Sequence, residues 1–133
     1  MMETMSSAYS AHALGILRLV TGLMFSLHGA QKFFGVFGGH RMPMFSLLWF
    51  AAIIELFGGI LITLGLFTRY VAFILCGEMC VAYFTAHARK GLLPIENGGE
   101  LAVLYCFIFL CLFAAGPGSF SLDRGSKGSG RRR

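Results

Sequence analysis

Residues 47–67 read LLWFAAIIELFGGILITLGLF, and the one ionisable side chain among them is Glu55. About 20 apolar residues in a helix cross the hydrocarbon core of a bilayer. The stretch therefore reads as a membrane span with a carboxylate near its middle, which costs about 2.5–3.5 kcal/mol on insertion scales. The chain does this twice, for Glu78 lies near the centre of an apolar run from about Tyr70 to His87. A third run, from about Ala13 to Phe34, carries Arg18, and a fourth covers about Glu100 to Ala115. Gly35-Val36-Phe37-Gly38-Gly39 with Pro43, then Thr68-Arg69, then Arg89-Lys90-Gly91 with Pro94, and finally Gly116-Pro117-Gly118 punctuate the runs.

This pattern predicts an all-α fold, an integral membrane four-helix bundle with spans at about 13–34, 47–67, 70–87 and 100–115. Residues 1–12 read as an N-terminal cytoplasmic segment, 13–118 as the helical domain, and 119–133 as a basic, disordered tail. Composition agrees. The 133 residues are 56% hydrophobic and 13% charged, against roughly 25% charged in soluble domains, and mean hydropathy is +0.74. The net charge of +5 is no nucleic-acid signal, because five of the eleven Lys and Arg residues lie in the tail. Beside a membrane such a tail orients the chain or touches anionic lipid. The balance of bases favours cytoplasmic termini for this multi-pass membrane protein.

Helical phase, about 100° per residue, decides which way the polar residues point. In the first span Gly15, Gly22 and Gly29 share a face with Arg18 and Lys32, and His28 lies at its edge. A small-residue stripe is a packing face, since it lets a neighbouring backbone approach. Glu55 shares its arc with Gly58, Gly59, Gly65 and Arg69. The expectation is a buried polar cluster of Arg18, His28, Glu55 and Glu78, with Arg18 reaching toward the midplane carboxylates. Such a cluster serves as a structural ion-paired core, as a ligand or quinone headgroup site, or as a proton path. The catalytic candidates it contains are Glu55, Glu78 and His28. A second group, Gln31, Lys32, His87, Arg89 and Glu100, gathers at the outer end as the mouth of a cavity. Asn97 is expected to cap the fourth span.

Cys76, Cys80, Cys106 and Cys111 all fall inside spans, and none belongs to a Cys-x-x-Cys pair. Cys76, Cys80 and His87 share one face of the third span, a spacing open to a soft metal, but cysteine in an apolar helix is usually a small hydrophobe. No metal site is assigned.

Several motifs together resemble a known family. Arg18-Leu-Val-Thr-Gly22, His28-Gly29-Ala-Gln-Lys32, Glu55-Leu-Phe-Gly58-Gly59 and Gly65-Leu-Phe-Thr-Arg69 look like the first two helices of the DoxX family. Ala82-Tyr-Phe-Thr-Ala-His87, Pro94-Ile-Glu-Asn97-Gly-Gly-Glu100 and the ending Gly116-Pro-Gly-Ser-Phe-Ser121-Leu-Asp123 are similar too. The resemblance implies a small four-helix protein of the bacterial inner membrane, in a family linked to quinol oxidase systems, thiosulfate:quinone oxidoreduction and thiol-redox partners. It maps the family's polar positions to Arg18, His28, Lys32, Glu55, Arg69, Glu78, His87 and Glu100.

The resulting expectation is an accessory or anchoring subunit of a membrane redox complex, more a non-catalytic subunit than a stand-alone enzyme. It has no covalently bound cofactor, and a quinone or quinol is the ligand left open. Its partners are membrane lipid and a protein of the redox complex, with no nucleic acid, and a homo-oligomer is left open. The alternatives are a thiosulfate:quinone oxidoreductase-type subunit, in which Arg18, Lys32 and His28 attract the anion, and a non-catalytic bundle that binds lipid or chaperones membrane proteins.

Overall fold

In a computed structural model, which describes residues 2–123, the chain is all-α. Helix α1 spans Met2–Phe34, α2 Leu47–Leu64 and α3 Thr68–Ala82. A π-helical turn, Tyr83–His87, and a 3-10 turn, Ala88–Lys90, prolong α3. The short α4 (Pro94–Asn97) leads into α5 (Glu100–Ala115). The first three long segments, the third counted as Thr68–Lys90, are long and apolar enough to cross a membrane, and α5 is a shorter apolar helix of 16 residues. The protein is thus an all-α membrane bundle. Helix α1 begins eleven residues earlier than the expected span, so residues 2–12 continue the helix. Residues 124–133 of the expected basic tail lie outside the described residues.

Consecutive long helices run antiparallel, and the tightest pairing is α1 on α2. Its cause is the small-residue stripe. A Cβ on Gly22 would lie 2.5 Å from the Thr63 backbone nitrogen, one on Gly29 would overlap the Leu56 backbone, and one on Gly59 the Ser26 backbone. The two backbones touch where side chains would hold them apart. Ser46 caps α2 by accepting the Trp49 N–H at 3.2 Å, and Gly65 (φ +67) ends it in a left-handed cap. Helix α3 pairs with α5, and an apolar core of Phe25, Ile62, Leu75, Met79, Tyr105, Phe109 and Leu112 joins the two pairs. Phe25 packs edge-on against both Tyr105 and Phe109.

Arg18 is fully buried, but it does not reach Glu55 or Glu78, which corrects the expected four-residue cluster. Its five N–H groups all donate to backbone carbonyls. Nε takes Pro117 at 2.8 Å, Nη1 takes Ile62 and Thr63 at 2.8 and 2.6 Å, and Nη2 takes Ser119 and Phe120 at 3.1 and 2.8 Å. The guanidinium offers five donors, and all five are used. The partners explain the preference. The last carbonyls of a helix lack intrahelical donors and form the negative end of its dipole, and Ile62 and Thr63 are such carbonyls of α2. The others belong to the irregular segment after α5, whose carbonyls have no ladder to join. The same segment corrects the expected start of the disordered tail: residues 119–123 are docked. Ser119 N–H donates to the Ala11 carbonyl at 2.9 Å.

Asp123 completes this lock. Its carboxylate accepts the Phe67 N–H at 2.8 Å and the Thr68 N–H at 3.0 Å, capping α3, and its own N–H donates to the Gly65 carbonyl at 2.9 Å. Burial pushes the Asp123 carboxyl upward. The N–H donors of Thr68 and Phe67, together with the Arg18 charge, outweigh that and hold it below the ordinary carboxylate range.

Three outcomes are expected in thermal or denaturant unfolding of the detergent-solubilised protein. Arg18→Lys keeps the charge but brings only three donors, so stability should fall in the order wild type, Arg18→Lys, Arg18→Met. The Met variant should lose at least about 2 kcal/mol, because buried carbonyls are left unpaired. Equal stability of the three would contradict the lock. Asp123→Ala should cost about 0.5–2 kcal/mol near neutral pH, as for a lost helix cap. Because the folded-state pKa is depressed, that contribution is present above the unfolded value of about 3.9 and disappears as pH falls through the folded value. The gap between wild type and Asp123→Ala should therefore close in acid. Gly29→Val should cost about 1–3 kcal/mol by forcing α1 and α2 apart, whereas Gly77→Val, which meets nothing within 4 Å, should not.

Candidate functional site

The register of α1 on α2 places Lys32, not Arg18, opposite Glu55. Lys32 Nζ lies 2.6 Å from Glu55 Oε1. Glu55 is 3% exposed and Lys32 32%, so the ammonium reaches in from a wetter position to meet a buried carboxylate. Removing one partner of a buried pair costs about 3–5 kcal/mol, because the other charge is left uncompensated.

The pair forms one wall of a cavity of about 200 Å³ between the helices, toward the end that carries the α1–α2 loop. His28, His87, Phe25, Met79 and Tyr105 also line it. The volume is below the roughly 300–1,000 Å³ of pockets for drug-sized ligands, so it suits a single ring. His28 packs edge-on against Tyr105, ring centres 6.2 Å apart, and Tyr105 stacks on Phe109. Glu55 Oε2, the Tyr105 hydroxyl and both Glu78 oxygens are buried without a hydrogen-bond partner. A buried polar atom without a partner costs about 1–3 kcal/mol. Glu78 does not line the cavity, but it lies within electrostatic range of Glu55 and Lys32. Of the expected cluster, the structure brings His28 and Glu55 onto one cavity, keeps Glu78 close behind, and removes Arg18 to the far end of α2.

The expected mouth divides in the same way. Lys32 and His87 line the cavity, whereas the other three do not. Gln31 folds onto its own loop, donating to the Phe37 carbonyl at 3.1 Å. Arg89 is exposed in the 3-10 turn, and Glu100 is exposed in the first turn of α5 against a separate surface depression. The π-helical turn decides the position of His87. A π turn holds more residues per turn than an α-helix, so it rotates His87 away from the face of Cys76 and Cys80, where regular phase put it, and toward that of Met79. His87 Nδ1 lies 3.3 Å from the Asn97 carbonyl, and its ring stacks on Tyr83.

Asn97 is not the direct cap of α5. It organises the turn before it, donating to the Tyr83 hydroxyl at 3.1 Å and the Gly91 carbonyl at 2.7 Å and accepting the Gly99 N–H at 2.8 Å. Tyr105 was missed by sequence reasoning. The only signal for it was a hydroxyl-bearing ring within an otherwise apolar run.

Comparison with known proteins gives a consistent identity. The DoxX family model matches residues 13–88, more than half of the chain. A Haemophilus influenzae protein described as uncharacterized is 47% identical over 122 residues, covering 86% of this chain and 91% of its own length. A Bacillus subtilis protein named "Putative oxidoreductase CatD" is 31% identical over 114 residues, covering 81% of this chain and 82% of its own. No solved structure matches the chain. On the family match and on these two relatives, this four-helix membrane protein belongs to the DoxX family.

Proposed function

We propose that the protein is a redox subunit of the bacterial inner membrane, with cytoplasmic termini, whose interhelical cavity receives the headgroup of a quinone or quinol. One observation carries this reading: a ring-sized cavity within a membrane bundle is lined by the Lys32–Glu55 pair, two histidines and Tyr105, whose hydroxyl is buried without a partner. The residues fit that ligand. Lys32 has two N–H groups beyond the one given to Glu55, and with His28 and the Tyr105 hydroxyl it can donate to quinone oxygens. The free Glu55 Oε2 can accept a quinol O–H, and Glu78 behind it can hold or release a proton. Phe25, Met79 and the Tyr105 ring offer apolar walls to the ring faces. When bound, a quinone supplies a two-electron, two-proton couple. A relative named as an oxidoreductase supports the same class.

In the accessory role, docked on a larger redox complex, the exposed apolar surface on all four long helices is the docking face. That surface serves lipid and a protein partner alike. The alternative with a sulfur-anion donor is weakened at one point: Arg18, which would have attracted the anion, has given every donor to carbonyls.

A photoreactive short-tail quinone, titrated against the protein in lipid nanodiscs, tests the reading. Labelling should map to peptides around the cavity. Glu55→Gln, Lys32→Met and Tyr105→Phe should each weaken binding about tenfold, the equivalent of one hydrogen bond at about 1.4 kcal/mol. Gln31→Ala and Glu100→Gln should bind as wild type. Equal affinity across both sets, or labelling confined to the lipid-facing surface, would remove the site.

A further inference from the structure

The thiols are the chemistry-bearing groups that the cavity does not use. Cys76 of α3 and Cys106 of α5 face each other across the seam between those helices. Their sulfurs are 3.6 Å apart, and the Cys106 thiol also approaches the Cys76 carbonyl at 3.5 Å. Both are partly buried against the apolar core, and both are free thiols. Thirty residues separate them in the chain, so the pair is visible only once α3 and α5 are docked. A metal site is a poor account of it, because no group of three or more His, Cys, Asp or Glu side chains is placed to hold a metal ion among the described residues, and two thiols alone do not complete a zinc or iron–sulfur site.

We propose that Cys76 and Cys106 form a reversible thiol–disulfide couple inside the membrane, oxidised by a lipid-soluble quinone. The sulfurs must close from 3.6 Å to the bond length of about 2.05 Å, a closure within the reach of side-chain torsions. In the reaction two S–H bonds break and one S–S bond forms. The two thiols are oxidised and the quinone is reduced, with both electrons and both protons ending on its two oxygens as the hydroquinone. Position favours this partner. Tyr105, the chain neighbour of Cys106, and Met79, one turn beyond Cys76, both line the cavity, so the couple lies just behind its wall. The identity of the oxidant rests on the quinone reading above, whereas the pairing of the thiols rests on its own geometry. The product would join α3 covalently to α5.

The test uses the reduced full-length protein in nanodiscs without oxygen. It is exposed to a short-tail ubiquinone, or separately to the thiol oxidant diamide, and then quenched with a maleimide. Mass mapping should find two of the four thiols lost per chain, joined in a disulfide between the Cys76 and Cys106 peptides, with one quinol formed per bridge. Cys76→Ser and Cys106→Ser should each abolish that bridge and its quinol, and Cys111→Ser should leave both unchanged. No Cys76–Cys106 bridge with either oxidant overturns the proposal at its geometry. A bridge with diamide but not with quinone overturns it at its oxidant. Photolabelling of the Cys76→Ser/Cys106→Ser double variant reports quinone binding separately, so loss of the cavity reading is told apart from loss of the couple.

Discussion

The α1–α2 contact, backbone against backbone through Gly22, Gly29 and Gly59, governs where Arg18, Lys32 and Glu55 fall. With no side chains between them, the two helices have one close register, and a shift by a turn would drive glycine positions into neighbouring Cβ atoms. That register sets Lys32 beside Glu55 and puts Arg18 beside the closing carbonyls of α2. The two bases share one helix face, yet they lie about 21 Å apart along the axis, at 1.5 Å per residue. They therefore serve opposite ends of the bundle.

The two buried cations illustrate two ways of removing a charge from water. Lys32 keeps partial contact with solvent and gives one strong, charge-assisted bond to a carboxylate. Arg18 has no solvent contact and spreads its charge over five carbonyl dipoles, with Asp123 in electrostatic range. The planar fork of guanidinium suits it to converge several chain segments at once, which a lysine cannot do. The result is a rigid end, tying the start of the bundle to its C-terminal segment, and a less saturated end where buried oxygens of Glu55, Glu78 and Tyr105 remain unpaired. At the first end the Arg18 donors are all used, and the Thr68 hydroxyl is the one buried side-chain group left without a partner there among the described residues.

Much of the fold was legible because hydropathy and glycine spacing are local signals. The four long segments, the inward face of α1 and the burial of Glu55 follow from period and length alone. Partner identity was not, because phase around a helix says nothing of the axial register of its neighbour. Arg18 was matched to the carboxylates on shared face and reach, and the actual partners are main-chain carbonyls, which carry no sequence signature. His87 lies at the expected mouth of the cavity, but its helical face differs from the expected one for a local reason, the π turn that breaks the regular phase. The Cys76–Cys106 approach was hidden by its long separation in the chain.

The brevity of α5 has a consequence for the surrounding lipid. Its 16 residues span about 24 Å, less than the roughly 30 Å of a typical hydrocarbon core. Gly99 before it and Gly116-Pro117 after it prevent extension of the helix. Such a mismatch is met by thinning of the bilayer along that flank, by snorkelling of flanking residues or by oligomerisation, at fractions of a kcal/mol per ångström. Leu101, Ala102 and Tyr105, in the first turns of this helix, line the cavity. A bilayer thinned along this flank would lie against the cavity and bring the aqueous boundary closer to Glu55.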